Sequence, residues 1–236
     1  MPDERPLLAV LFDADNIPAH FAGPILKEIT SFGEPALRRV YGDWSSGRLN
    51  KWADAVRSLG LVAHQESANT TGKNASDIGL VIDAMDILHT GRFDGFVLVS
   101  SDSDFTALAN RIREQGLDVI GIGENKTPVS LKNVCNRFIL IENVVEEAPT
   151  RGASPQQPTN KLSPNEALPL ILRAMDKIGG DDEWYPLGQL GQYITADNPD
   201  FDTRTYGKRK LTDLIGALPR LETRRQNNQI QVRRTD

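Results

Sequence analysis

Asp102 and Asp104 stand one residue apart, directly after the apolar run Val97-Leu-Val-Ser-Ser101, and an apolar helical pattern resumes at Phe105. A buried strand that ends this way places two carboxylates at the carboxyl edge of a sheet, where open α/β folds bind their ligands. Keeping such groups ionised is costly unless a cation lies among them. Two further acids belong at the same edge. Asp13 closes the apolar run over residues 7–12, and Asp77 falls in the first turn of a helical pattern over residues 75–89. Oxygen-only ligands of this kind suit Mg2+ or Mn2+, whereas zinc would call for Cys or His. Such an ion orients and deprotonates a water for attack on a phosphodiester, and offsets the charge that develops. Singly, each acid is more often a cap or a surface charge, and a helix N-terminus favours Asp77 in its own right. It is the four together that point to a metal site.

The elements that must position these acids alternate in type. The continuous apolar run at residues 7–12 fits a strand buried on both faces, and further strands are expected at 36–41, 61–64, 96–100, 117–122 and 138–141. Helical patterns fall between them at 18–32, 46–59, 75–89, 105–115 and 129–135, most of them stopped by a glycine. Alternation of this kind predicts a parallel sheet with right-handed crossovers, in which the first and fourth strands can be neighbours.

Smaller polar residues gather around the acids. Asn16 is close enough to Asp13 to hydrogen-bond a carboxylate or a phosphate, and equally suited to cap the helix that follows. Ser100 and Ser101 either orient the acids or satisfy the strand end. Lys73, ahead of the helix carrying Asp77, could reach a substrate phosphate. Asp15, Asp83 and Asp86 are assigned to the surface or to supporting positions. The three histidines, His20, His64 and His89, lack ligand spacing, and the lone Gly121-Ile-Gly123 is too short a signal for a nucleotide site. The single Cys135 precludes an intrachain disulfide and reads as a small buried hydrophobe.

Composition changes after residue 146. Residues 147–162 are rich in Pro, Ser, Thr and Gln without apolar periodicity, which predicts a linker between domains at 1–146 and 163–236. The second domain is expected to hold helices over 164–177, 186–195 and 207–217, closed by a hairpin turning at Asn227 and Asn228. That is the pattern of a winged helix-turn-helix. Charge divides with the domains: residues 161–236 carry 12 Lys/Arg against 11 Asp/Glu, within a chain whose net charge is −5. An acidic body with a basic tail can hold metal in one part and nucleic acid in the other. Lys208, Arg209, Lys210, Arg224 and Arg225 are the candidate phosphate contacts, or simply an exposed basic face. No apolar run reaches the roughly 18 residues a membrane helix needs, and the acidic N-terminus carries no secretory pattern, so a cytoplasmic protein is expected.

Three stretches carry a resemblance. Phe12-Asp-Ala-Asp-Asn-Ile17, Lys73-Asn-Ala-Ser-Asp77 with Ile82-Asp-Ala-Met-Asp86, and Val99-Ser-Ser-Asp-Ser-Asp-Phe105 resemble the NYN domain, the PIN-like group of predicted metal-dependent ribonucleases that includes the LabA-like proteins. The resemblance covers about residues 5–145. It implies an α/β protein with a PIN-like three-layer α/β/α sandwich and a mainly parallel sheet, and RNA cleavage dependent on Mg2+ or Mn2+. It also implies catalytic and metal-binding roles for Asp13, Asp77, Asp102 and Asp104, with Asn16 as an associated polar residue. Lys73 and Ser101 join Asn16 as candidate substrate contacts from their positions alone. Farther on, Tyr206, Gly207, Lys210, Leu211 and Leu214 fill a pattern similar to the OST-HTH/LOTUS domain, a small winged helix-turn-helix that binds RNA or protein partners. A ribonuclease with an RNA-binding module is therefore expected, with no membrane partner and with a dimer as one option. Two other readings are weighed against it. One is a regulatory RNA-binding protein without catalysis. The other is a phosphohydrolase of the haloacid-dehalogenase type built on Asp13 and Asp15, although that family usually has Gly where Asn16 stands.

Overall fold

The computed structural model describes residues 5–65, 75–145, 161–179, 184–227 and 229–235. Lys73, most of the expected linker and Asn228 lie outside them. The chain divides into two compact units, Met1–Thr150 and Arg151–Asp236.

The first unit is a six-stranded sheet in the order β3-β2-β1-β4-β5-β6. Its strands are β1 (Leu7–Asp13), β2 (Glu34–Gly42), β3 (Val62–Gln65), β4 (Gly95–Val99), β5 (Asp118–Gly123) and β6 (Arg137–Leu140), and every neighbouring pair is parallel. The helices between them are α1 (Ala22–Ile29), α2 (Asn50–Leu59), α3 (Ala75–His89), α4 (Thr106–Glu114) and α5 (Val129–Val134). A short α6 (Ile141–Val145) follows β6, where the apolar run had suggested only strand. The strand order reverses direction between β1 and β4, so this sheet has its topological switch point where Asp13 and Ser100 lie.

Alternation along β1 sorts its side chains into two cores. Leu8, Val10 and Phe12 join Ile25 and Ile29 of α1, Trp52 of α2 and Val144 of α6 on one face. Ala9 and Leu11 join Leu80, Ala84 and Ile87 of α3, Ile112 of α4 and Leu131 of α5 on the other. The result is the three-layer α/β/α sandwich. By the same alternation Asp13 points to the α3 side, and on β4 so does Ser100, because Phe96 and Leu98 pack there.

Asp83, assigned to the surface or to a supporting position, is half-buried and joins α3 to β2. It accepts hydrogen bonds from Arg39 and Tyr41, with His64 of β3 3.9 Å away. Burial and Asp83 push the Tyr41 phenol up. Burial would raise the Asp83 carboxyl, but bonds from Arg39 and Tyr41 outweigh it and hold it below the ordinary value. A depressed carboxylate stabilises the fold above its unfolded pKa, and the contribution is lost as pH falls through the folded value. Asp83→Asn should therefore destabilise this unit by about 1 kcal/mol at pH 7, less than a fully buried charged bond. Urea denaturation at pH 7 and at pH 3 checks this: the gap between variant and wild type should narrow at the lower pH.

In the second unit, α7 (Leu168–Ile178), α8 (Leu187–Asp197) and α9 (Leu211–Gly216) pack with a three-stranded sheet, β7 (Tyr185–Pro186), β8 (Leu221–Gln226) and β9 (Gln229–Arg234), in the order β7-β9-β8. Ile171, Met175, Leu190, Ile194, Leu214, Ile215 and Val232 form its core. A capping box opens the first helical segment, in which Ser163 accepts from the backbone and Glu166 answers to the Ser163 N–H. The helix expected over 207–217 starts only at Leu211. Gly207 takes a φ of 69° and closes a 3-10 turn over Thr203–Tyr206, so the chain reverses there before the helix begins.

Candidate functional site

Asp13 is the centre of the hydrogen-bonded network at the switch point. Only 3% of its surface is exposed. Ser100 Oγ donates to its Oδ2 at 2.7 Å, and the Asn16 backbone N–H donates to its Oδ1 at 3.2 Å. The same serine oxygen accepts from the Asp102 N–H at 3.1 Å, so one hydroxyl links the end of β1 to the loop after β4. Burial is the main influence on Asp13, with smaller upward contributions from Asp77 and Asp15. The bonds from Ser100 and Asn16 oppose them, and the carboxyl stands at about 6.

Asn16 does not cap a helix. Its Oδ1 accepts from the Ser101 N–H at 3.2 Å, while Pro18 stands at the N-cap of the following 3-10 turn without a side-chain bond. Ser101 is buried, and its hydroxyl accepts from the Glu124 N–H at 2.9 Å, tying the loop after β4 to the end of β5. Beside it Gly123 has no room for a side chain: a Cβ would lie 2.7 Å from the Ser100 carbonyl oxygen. Asp102 accepts from the Asp104 N–H at 2.9 Å and so caps the 3-10 turn over Ser103–Phe105, which leaves the Asp104 side chain toward solvent.

Asp77, in the first turn of α3, faces this loop. Its carboxyl is raised, first by burial and then by the charges of Asp102, Asp104 and Asp15. Asp77 is thus the acid in common: its charge reaches Asp13, and the charges of Asp102 and Asp104 reach it. Asp15, assigned from sequence to the surface or a supporting role, adds its charge to those acting on Asp13 and Asp77; its spacing of two from Asp13 was the available signal.

The donor chemistry fits a hard divalent cation: carboxylate oxygens, one of them buried, with mutual repulsion a cation would relieve. Among the described residues, no three acidic, histidine or cysteine side chains form a group that could hold a metal ion. The acids converge in electrostatic range and not as a closed cage. Cys135 takes no part. It is buried, its thiol faces the Leu131 carbonyl at 3.2 Å, and burial pushes it up to about 12.

In the second unit, Lys208 is half-buried, Arg209 and Lys210 are exposed ahead of α9, and Arg224 and Arg225 are exposed on β8. Arg224 bonds Gln231 across the hairpin at 2.8 Å and lies over the ring of Trp184, 4.1 Å from its centre. Arg233 lies over the same ring at 4.8 Å. Sequence reasoning missed Trp184 because no periodic pattern includes it. The hairpin brings Arg224 and Arg233 to this tryptophan, which fixes two cations on the sheet.

Comparison with known proteins gives two family matches. The NYN domain model matches residues 7–142, and the OST-HTH/LOTUS domain model matches residues 163–232. None of the curated proteins compared matches the chain. Among solved structures, a protein of unknown function, VPA0982 from Vibrio parahaemolyticus, is similar at 20% identity and a TM-score of 0.52, over 61% of this chain and 98% of that one. It supports the fold. An uncharacterized protein from gene locus NE0665 of Nitrosomonas europaea matches at 27% identity and a TM-score of 0.28, over 38% of this chain and 88% of that one. No helix among the described residues is long and apolar enough to cross a membrane.

Proposed function

We propose a function from one premise: the chain belongs to the NYN domain family and carries an OST-HTH/LOTUS domain behind it. The first is a PIN-like nuclease domain and the second an RNA-binding one, so the function is RNA-related and of ribonuclease type. The finer reading is a metal-dependent ribonuclease of the cytoplasm that hydrolyses RNA phosphodiester bonds at the carboxyl edge of the sheet. The observation that carries it is Asp13, buried at the switch point under bonds from Ser100 and Asn16 and raised by that burial, with Asp77 nearby raised by burial and then by the charges of Asp102 and Asp104. A fold keeps such mutually repelling carboxylates in one cleft at a cost in stability, which points to use.

Asp13, Asp77, Asp102 and Asp104 would hold Mg2+ or Mn2+, which supplies a Lewis acid and an activated water when bound. Ser100 holds the Asp13 carboxylate in place and favours its charged form. Asn16, fixed by the Ser101 N–H, aims its side-chain amide along the same edge, where its NH2 can donate to a phosphate oxygen. Lys208, Arg209, Lys210, Arg224 and Arg225 retain the RNA through its phosphates. Lys73 stays a candidate phosphate contact by its sequence position. Tethering the two domains raises the local RNA concentration at an acidic edge that alone repels phosphate.

Purified protein with single-stranded RNA and Mn2+ tests this. Wild type should cleave and Asp102→Asn should not; equal cleavage by both would mean contamination and end the enzyme reading. Ser100→Ala removes a bond that favours the charged carboxylate, so the Asp13 pKa should rise and protons should compete better with metal. Its cleavage rate at pH 7 should drop about 10- to 100-fold, and the acid limb of the pH profile should move to higher pH. An unshifted limb would show that Ser100 does not act through Asp13.

A further inference from the structure

Helix α3 is apolar on both sides. Leu80, Ala84 and Ile87 are buried against the sheet, yet Ile78 and Ile82, one turn apart, are 61% and 58% exposed. With Val81 and Phe105 they line an open cavity of about 320 Å³, and the remaining lining residues are Asp77 and Asp104. The cavity therefore shares two carboxylates with the acidic cleft and is otherwise aliphatic and aromatic.

We propose that this cavity seats a nucleobase of the RNA, the base of a nucleotide next to the phosphate held at the acidic edge. This deepens the ribonuclease reading and rests on it. Three observations favour a base over other occupants. Because Asp77 and Asp104 belong to both places, whatever fills the cavity lies within a nucleotide's reach of the cleft. Apolar walls with two acceptors repel a phosphate and admit the flat, uncharged part of a nucleotide, whose ring N–H and amino groups can donate to carboxylates. The volume is at the small end for ligand sites, adequate for one ring system and too small for a folded partner segment. Contact of this type is tolerant of sequence, since every base has an apolar face. Ile78 and Ile82 thus become positioning residues that fix the register of the strand relative to the acids.

The test is photo-crosslinking of a short single-stranded RNA containing 4-thiouridine to the full-length Asp102→Asn protein in Mn2+, with the crosslinked peptide identified by mass spectrometry. The expected result is crosslinking within residues 75–89, lost in an added Ile78→Ser/Ile82→Ser pair that melts at the same temperature. In the otherwise wild-type enzyme, that pair should raise KM for the same RNA about tenfold, the loss of one base contact. Crosslinks confined to residues 163–236 would overturn the proposal. So would a wild-type dimer that the isoleucine pair converts to monomer in sedimentation, because the face would then be covered by a second copy. Crosslinking to the helix by a wild-type protein that never cleaves would leave the base seat standing and remove the ribonuclease reading instead.

Discussion

Replacing Asp13 by asparagine should lower Mn2+-dependent RNA cleavage by about 10³-fold or more, while the metal-free protein melts at the same temperature as wild type or above it. Loss of function and gain of stability come from one cause. Asp13 is almost fully buried, and its carboxyl stands at about 6 where an unfolded aspartate is at the ordinary value. A carboxyl raised on folding favours the fold below its unfolded pKa, and that advantage disappears as pH rises through the folded value. At pH 7 and above, the charged group therefore costs up to about 3 kcal/mol, an upper bound since the amide keeps only some of the same bonds. Asparagine removes that cost and, with it, the charge a cation needs. Melting in EDTA at pH 7.5 and cleavage at the same pH check both halves. Mn2+ should raise the melting temperature of wild type and leave the variant unmoved. A variant that cleaves normally, or one that unfolds in EDTA, would contradict the account.

The second large effect is on the scaffold. Phe12→Ala should destabilise the first unit by about 3–5 kcal/mol. Phe12 is completely buried at the residue before Asp13, and Trp52 meets its ring edge-on at 5.5 Å between centres. Trp52 is itself held by its indole N–H donating to the Ile17 carbonyl at 2.8 Å. Removing the ring leaves a cavity between β1 and α2 and frees the segment that carries Asp13 and Asn16. Tryptophan fluorescence in a urea titration reads the loss, because Trp52 borders the new cavity. Trp184 belongs to the other unit and should keep its own transition.

Much of this was legible in the sequence for physical reasons. Parallel strands buried on both faces leave apolar runs, so the runs ending at Phe12 and Val99 marked β1 and β4, and the acids after them marked the candidate site. The two families were readable from short ordered motifs, and their models match residues 7–142 and 163–232. What escaped depends on contacts that no local pattern encodes. The role of Asp83 stayed open between surface and support because its partners Arg39 and Tyr41 arrive from another strand. Asn16 looked equally suited to capping a helix; only the pairing of β1 beside β4 delivers the Ser101 N–H to its side chain. The delayed start of α9 was hidden because Gly207 ends one turn before the next helix begins. Ile78 and Ile82 fit the helical spacing of a core face, yet the fold turns them outward.

The central claim is that Asp13, Asp77, Asp102 and Asp104 share one divalent cation. A crystal soaked in Mn2+ and measured for anomalous scattering tests it most directly. The account predicts a peak in the cleft between these four side chains, with oxygen ligands at about 2.0–2.6 Å, and no peak in crystals of Asp13→Asn. Manganese bound elsewhere in wild type, with the four carboxylates too far apart for one ion to bridge, would contradict it.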